Sequence, residues 1–248
     1  MSGGERAATP AKCSSGTRSE WYNPAGAKTA VRLPGVKIMS TVEIQTAAAR
    51  LDASSAGISM TPEEFDAITD YDECFNYELI NGVLVVTPMA SRSERSPNDL
   101  LGYWFQNYRY QHPQGGCLIE TVFEEYLNTR DNRRRADRVV WVDRETAPAD
   151  PQVDIPTIVI EFVSAGKAAW RRDYIEKRDE YLEAGVTEYW VIDRFRRSLT
   201  SFSHEPGRPP ETVVPEGGVY KTPLLPGFEL PLSELLAAAD KWAGQSPR

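Results

Sequence analysis

Two acidic residues lie in or beside segments whose composition is typical of buried β-strands. Glu161 interrupts the apolar and β-branched run TIVIEFVS, and Asp137 directly precedes the apolar run VVWV. A lone buried carboxylate is costly unless it is paired, protonated or bound to a cation. Two carboxylates at the ends of neighbouring strands offer the hard oxygen ligands that Mg²⁺ takes together with water and phosphate oxygens. These two residues are therefore candidate metal ligands.

Simpler interpretations of the same residues stay open. Glu161 could lie at a sheet edge or form a structural ion pair with an arginine. Asp137 follows three arginines in close succession and could end a solvated, charged turn, which spacing alone favours. The pairing of the two carboxylates is what makes a functional site the stronger hypothesis.

A lysine and a second glutamate also fall on otherwise apolar faces. At about 100° per residue, Lys177 lies on the aromatic stripe of a predicted helix that follows the Glu161 strand. The stripe comprises Trp170, Tyr174, Lys177 and Tyr181. A pairing of Asp173 with Lys177 at i and i+4 would explain the lysine equally well. Glu78 shares a face with Ile80 in the strict alternation of a predicted hairpin strand, so it is either paired or functional.

Basic residues near these candidates form two groups. The first is Arg130, Arg133, Arg134, Arg135 and Arg138, and the second is Lys167, Arg171, Arg172, Lys177 and Arg178. Such groups could attract a phosphodiester locally. A solvated charged surface explains them equally well.

Composition excludes several other chemistries. His112 and His204 are the only histidines of the 248 residues and lie far apart, which excludes a histidine-rich zinc site. The three cysteines show no CxxC spacing, and no glycine-rich phosphate-binding motif is present. The formal net charge is −8, from 28 Lys and Arg against 36 Asp and Glu. This balance disfavours extended, non-specific coating of nucleic acid but allows a local basic cleft.

The elements that must hold the candidates can be predicted from local patterns. In TPEEFDAI, Thr61 is the predicted N-cap and Pro62 the first helical residue. YELINGVLVV predicts a β-hairpin about Asn81-Gly82, and Ser96-Pro97 is predicted to open a helix that continues to about residue 111.

The second half of the chain predicts alternating strands and helices. Strands are predicted at 117–128, 136–143, 157–164 and 188–193, the last with RSLTSFSH as hairpin partner. Helices are predicted at about 168–184, before Gly185, and in LSELLAAADKW. The strand, helix and strand over 157–193 form a right-handed βαβ unit. We therefore expect an α/β fold with a mixed β-sheet flanked by helices and an N-terminal β-hairpin.

Residues 1–58 differ from the rest of the chain. They carry seven Lys and Arg against four Asp and Glu, so their charge is +3 and the remainder carries −11. Their large apolar residues show no sustained period, which predicts a mostly disordered extension with a short helix at about 41–51 and Met39 as an alternative start. Residues 59–243 are predicted as the folded domain. Because no apolar run approaches the roughly 18 residues of a membrane span, and no signal peptide is readable, we expect a cytoplasmic protein without a membrane partner.

The order of motifs resembles that of a known family. YELINGVLVV, ADRVVWVD, IVIEFVS and DYIEKRDEYLEAGVTEYWVID follow one another along the chain. This series resembles the bacterial putative restriction endonuclease family, first catalogued as a domain of unknown function, within the PD-(D/E)xK nuclease superfamily. The resemblance covers about residues 60–235, and its most specific part is D-x3-K-x3-Y-x3-GV-x-EYW-x-x-D. It implies a restriction-endonuclease-like core.

The resemblance also implies roles for the four candidates. Asp137 matches the aspartate of the PD motif, Glu161 the glutamate of the next strand, Lys177 the motif lysine and Glu78 the hairpin glutamate. Two positions depart from the pattern. Ala136 replaces the proline before the aspartate, and Val163 stands where a lysine follows the glutamate, so the ammonium would have to come from Lys177. The segment SRSERSPND also lacks a histidine that the family often has there.

The implied activity is metal-dependent hydrolysis of DNA phosphodiesters. Asp137, Glu161 and Glu78 would hold Mg²⁺, or Mn²⁺, with the Phe162 carbonyl, while Lys177 would position water or stabilise charge on the phosphorane. Cutting both strands implies a homodimer. Two alternatives stay open: a catalytically degenerate module for nucleic-acid or protein interaction, and a hydrolase of small phosphorylated molecules.

Overall fold

The computed structural model describes residues 50–144 and 153–243. Residues 1–49, which include Met39 and most of the predicted helix at 41–51, lie outside the described residues. Residues 50–58 are described and pack on the hairpin, although the sequence pattern placed them in the extension. Leu51 is buried with Tyr77 and Leu84, and the Gly57 amide donates to the Leu84 carbonyl at 2.8 Å.

One eight-stranded sheet forms the centre of the described domain. Its strands are β1 (Phe75–Ile80), β2 (Val83–Pro88), β3 (Leu118–Asn128), β4 (Arg133–Val142), β5 (Ile158–Phe162), β6 (Glu188–Asp193), β7 (Ser198–Phe202) and β8 (Glu211–Pro215). The order is β2-β1-β4-β5-β6-β7-β8, with β3 paired to β4. Only β5 and β6 run parallel among these pairs, which confirms the predicted βαβ unit within a mixed α/β fold. A small second sheet joins β9 (Val219–Tyr220) to β10 (Leu230–Pro231).

Helices cover both faces of the sheet. They are α1 (Pro62–Asp66), α2 (Arg92–Gln111), α3 (Lys167–Arg171), a π-helical turn (Arg172–Glu176), α4 (Lys177–Glu183) and α5 (Leu232–Asp240). Val139 of β4 packs in the core on the α4 face, and Val140 packs in the core under α2 and α5. This alternation explains why the central strands are apolar on both sides. Within the described ranges, no helix has the length and apolarity needed to cross a membrane.

The hairpin and the first cap agree with the sequence prediction. Asn81 and Gly82 both have positive φ, 51° and 74°, as the predicted two-residue turn requires. Thr61 and Glu64 exchange both hydrogen bonds of a capping box, at 3.2 and 2.8 Å.

Two predicted boundaries and the continuity of one predicted helix are wrong. Helix α2 begins at Arg92 and not at Ser96-Pro97, because Ser91 and Glu94 form the capping box and Pro97 lies inside the helix. Strand β4 begins at Arg133 and not at residue 136 as predicted. The helix predicted over 168–184 is interrupted by the π-helical turn, which local periodicity does not reveal.

Gly102 of α2 is required by a buried arginine of β4. The Arg138 guanidinium donates to Asn98 Oδ1 at 2.6 Å, to the Asn98 carbonyl at 3.0 Å and to Thr121 Oγ1 at 3.0 Å. A Cβ at Gly102 would lie 2.6 Å from an Arg138 terminal nitrogen, and the three hydrogen bonds prevent the guanidinium from moving away at low cost.

We therefore expect Gly102→Ala to lower the free energy of unfolding by about 1–3 kcal/mol through overpacking, despite alanine's higher helix propensity. Chemical denaturation measures this effect. Gly116→Ala is the control, because its Cβ would meet no atom within 4 Å and should change stability little. A Gly102→Ala variant as stable as the parent would show that the Arg138 guanidinium can move away from the new methyl group at little cost.

Candidate active site

The candidate site lies where one edge of β4 has no strand partner. Strand β3 pairs with β4 from residue 133 to 142, so β1 and β5 must share the opposite edge. On that edge β1 pairs with β4 only at Arg133, and the pairing of β5 with β4 begins at Arg138. The edge between them, over residues 134–137, carries the predicted residue Asp137. Its backbone groups need partners other than a strand.

Side chains of two predicted site residues supply those partners. Glu78 of β1 accepts the Arg135 amide proton at Oε1, at 2.9 Å. Lys177, the first residue of α4, donates from Nζ to the Arg135 carbonyl at 3.0 Å. A third side chain, Asn98 of α2, donates to the Asp137 carbonyl at 2.8 Å. The interrupted sheet is thus continued by ionic and amide side chains.

Glu161, near the end of β5, joins the same group. Its Oε1 accepts from Lys177 Nζ at 2.8 Å and from the Tyr181 hydroxyl at 3.1 Å. Lys177 Nζ also lies 3.6 Å from Glu78 Oε1. Glu161 and Lys177 are each only 3% exposed, so the ion pair between them is buried. The structure therefore brings Glu78, Glu161 and Lys177 together as the sequence predicted.

Asp137 is fixed beside this group by the next strand. Its Oδ2 accepts the Phe162 amide proton at 2.7 Å, which joins β4 to the end of β5. All four predicted residues line one cleft of about 820 Å³. Asp137, in the middle of β4, and Glu161, near the end of β5, therefore face a common space.

Burial and neighbouring charges shift the pKa values of these groups in different directions. Burial raises the pKa of Asp137 to about 6, against the opposing effects of the Lys177 charge and the Phe162 amide. Burial likewise raises the pKa of Glu161 well above its ordinary value. Burial opposes the charge of Lys177, but the carboxylates of Glu161, Glu78 and Asp173 outweigh it and raise the lysine pKa. Lys177 therefore keeps its proton.

Of the three candidate carboxylates, Glu78 is the one whose negative charge is most stabilised by its neighbours. Burial raises its pKa, but the charges of Lys177 and Arg134 and the Arg135 amide outweigh burial and lower it. Glu78 thus stays ionised and fixes the backbone of β4.

Several contributing residues were not singled out from the sequence. Tyr181 was recognised only as part of an apolar stripe, yet its hydroxyl bonds to Glu161; its i+4 spacing from Lys177 was the available signal. Glu94 lines the cleft and accepts from Ser164 Oγ at 2.5 Å. Asp173, which the sequence offered as an ion-pair partner of Lys177, is fully buried and instead accepts from Arg172 Nε at 2.8 Å.

Most side chains of the first basic group form ion pairs or hydrogen bonds within the protein. Arg133 pairs with Asp66 at 2.6 Å, Arg134 bonds to Glu180, and Arg138 is buried under α2. Among the five arginines of the first group, only Arg135 lines the cleft. The sequence pattern therefore overstated the basic surface near Asp137.

The donor set fits a hard divalent cation held by few protein ligands. In the described part of the chain, no hydrogen bond reaches Oδ1 of Asp137 or Oε2 of Glu161, so each carboxylate keeps an oxygen for a ligand. No three His, Cys, Asp or Glu side chains of the described residues converge as a metal cluster. Mg²⁺ commonly uses one or two carboxylates with waters and phosphate oxygens, which is compatible with this arrangement.

Comparison with solved structures defines the class of fold. The crystal structure of a putative nuclease belonging to DUF820 from Anabaena variabilis ATCC 29413 matches with a TM-score of 0.56 and 15% identity, over 73% of this chain and 99% of that chain. At this identity the likeness shows the fold, which is the restriction-endonuclease-like nuclease fold. The type IIG restriction endonuclease BpuSI matches with a TM-score of only 0.33 and 12% identity, over 62% of this chain and 17% of that chain.

Comparison with protein families gives the particular family. The family described as putative restriction endonuclease, Uma2, matches residues 62–233. The chain belongs to this family, which confirms the resemblance seen in its motifs and supports a nuclease-like function. No curated protein matches the sequence.

Lys177 should contribute strongly to stability because two buried carboxylates depend on it. Replacing it in Lys177→Met leaves Glu161 and Glu78 without their shared cation, and we expect a loss of about 3–5 kcal/mol in unfolding free energy. Urea denaturation measures this loss. The double variant Lys177→Met/Glu161→Gln should recover part of it, since one of the uncompensated charges is then absent. Equal stabilities of the two variants would contradict this account of the ion pair.

Proposed function

We propose that this protein is a metal-dependent DNA endonuclease whose reaction takes place in the cleft at the interrupted edge of β4. The observation that carries the proposal is the 2.8 Å contact of Lys177 Nζ with Glu161 Oε1 beside Asp137. The family pattern has a lysine two residues after the glutamate, where this chain has Val163. Lys177, the first residue of α4, places its ammonium on the same carboxylate, that of Glu161. Membership of the family supports DNA as the substrate.

Asp137 and Glu161 are the residues that would hold Mg²⁺, or Mn²⁺ in its place, through Asp137 Oδ1 and Glu161 Oε2. The bound cation would supply Lewis-acid chemistry, lowering the pKa of a water and polarising a phosphoryl oxygen. Glu78 orients this arrangement, because it fixes the β4 backbone two residues before Asp137 and shares the charge of Lys177.

Lys177 acts as the fixed positive charge of the reaction. The surrounding carboxylates keep it protonated, so it can orient the attacking water or stabilise negative charge that develops on the phosphorane. Tyr181 shares the acceptor oxygen of Glu161 with Lys177 and thereby fixes the rotation of the carboxylate. Preorganisation of this kind lowers the cost of reorganising charges during the reaction.

A homodimer agrees with cleavage of both strands, because the described chain presents one such cleft with these carboxylates and one site cuts one strand at a time. DNA as substrate also agrees with the cytoplasmic location predicted from the sequence.

The proposal predicts cleavage of plasmid DNA by the purified protein with Mg²⁺ or Mn²⁺. Asp137→Asn and Glu161→Gln should each lower the rate by about 10²-fold or more, by analogy with the loss of other electrostatic catalytic groups. Glu211→Gln, an exposed carboxylate on β8, is the control and should cut like the parent.

Metal binding and substrate range separate the alternatives. Calorimetric titration of Mn²⁺ should give heat with the parent and much less with Asp137→Asn. A parent that binds no Mn²⁺ and leaves DNA intact would favour the degenerate interaction module. Turnover of a small phosphodiester that DNA does not inhibit would favour a hydrolase of small molecules.

A further inference from the structure

Arg135 is a cation of the cleft that the proposed reaction does not use. It lies two residues before Asp137 on β4. Arg135 lines the same cleft as Asn76 of β1 and the two candidate metal ligands, Asp137 and Glu161. The guanidinium is therefore in the cleft that contains the candidate metal ligands.

Neighbouring groups hold this guanidinium in one position. Its terminal nitrogens donate to Asn76 Oδ1 at 2.6 Å and to Glu124 Oε2 at 2.7 Å, and Nε donates to the Glu124 carbonyl at 3.3 Å. The Tyr126 ring centroid lies 5.6 Å from its central carbon. The hydrogen bonds use three of the five N–H groups of an arginine, so the side chain is fixed while donors remain for a ligand.

Backbone strain at Glu124 is an independent sign of function. Glu124 lies in β3, opposite Asp137 in the register, between Phe123, which pairs with Arg138, and Glu125, which pairs with Ala136. Its φ is +52°, in the left-handed region that residues other than glycine rarely adopt. Such conformations are kept where the surrounding structure requires them and cluster at functional sites.

The other cations of the cleft are either engaged with other partners or not held in place: exposed Arg95 forms no side-chain hydrogen bond or ion pair in the described part of the chain. Lys177 is buried against Glu161, and Arg172 bonds to Asp173. Arg92 is exposed and lies over the Trp242 ring, 5.0 Å from its centroid. Arg135 combines partial exposure, 22% of its side chain, with a fixed position on the strand of Asp137.

We propose that Arg135 binds a DNA backbone phosphate next to the phosphate that is cut, and that Glu124 and Asn76 hold it ready for this contact. The inference rests on the proposed function, because it assigns part of the same cleft to the substrate strand. A planar guanidinium suits bidentate contact with phosphate oxygens. Arg135 thus determines where along the strand the scissile phosphate lies.

Binding of a fluorescent DNA duplex at several salt concentrations tests the contact. All proteins in this assay carry Asp137→Asn, which slows cleavage so that little DNA is cut during the measurement, and the buffer contains Mg²⁺. Arg135→Ala should raise Kd about tenfold and reduce the slope of log Kd against log salt by about 0.9, the value of one phosphate contact. Arg130→Ala removes an arginine that is 86% exposed and outside the cleft, and should change neither quantity.

Two further variants separate phosphate binding from a structural role. Arg135→Ala/Glu124→Gln leaves no unpaired carboxylate at Glu124 and should show the same reduced slope as Arg135→Ala. Glu124→Gln alone keeps an acceptor for Arg135 but removes an opposing charge, so it should bind DNA at least as tightly as the parent at low salt. If the slope stays at the parent value in both Arg135→Ala variants, the inference is overturned while the proposed function stands.

Turnover with Asp137 intact distinguishes the neighbouring phosphate from the scissile one. Arg135→Ala should lower DNA cleavage at limiting substrate about tenfold more than it lowers turnover of bis(p-nitrophenyl) phosphate, because this small diester has no neighbouring phosphate. Equal losses on both substrates would overturn the assignment. A parent that binds no DNA under any condition would overturn the proposed function and this inference together.

Discussion

The open edge of β4 is the constraint on which the candidate site depends. Backbone N–H and C=O groups inside a domain need partners, and the edge between β1 and β5 has no strand to provide them. Glu78 and Lys177 serve the backbone of Arg135, and Asn98 serves the carbonyl of Asp137. The charged side chains of the site therefore also complete the sheet, so the site cannot rearrange without disturbing the fold.

The same constraint explains how a lysine can be buried beside three carboxylates. Lys177 comes from the first residue of α4, directly after the π-helical turn, and reaches Glu161, Glu78 and a backbone carbonyl at once. Each contact offsets part of the desolvation of its charge. A lysine in place of Val163 would have its direction set by the backbone at the end of β5. Lys177 instead reaches Glu161 from α4, which packs on the sheet. Lys177 thus brings an ammonium to Glu161 although the chain has Val163 two residues after that glutamate.

Charge counted along the sequence is a poor guide to charge available in the cleft. Arg133, Arg134 and Arg138 look like a basic cluster, but each is bound to a separate structural partner. Arg135 alone of that group enters the cleft, and there it is fixed by Glu124 and Asn76. Strand alternation and the partners across the sheet decide which arginine meets a ligand.

Local patterns determined much of this protein: the Asn81-Gly82 hairpin, the Thr61 cap, the buried strands, the βαβ unit and the four candidate residues. These depend on periodicity, turn chemistry and the cost of burying charge, which act over a few residues. The capping box at Ser91, the π-helical turn, the strand position of Arg133 and the hydrogen bond of Tyr181 to Glu161 were decided only by the tertiary structure. Each of these depends on competing local signals or on partners distant in the sequence, and only packing of the whole domain selects among them.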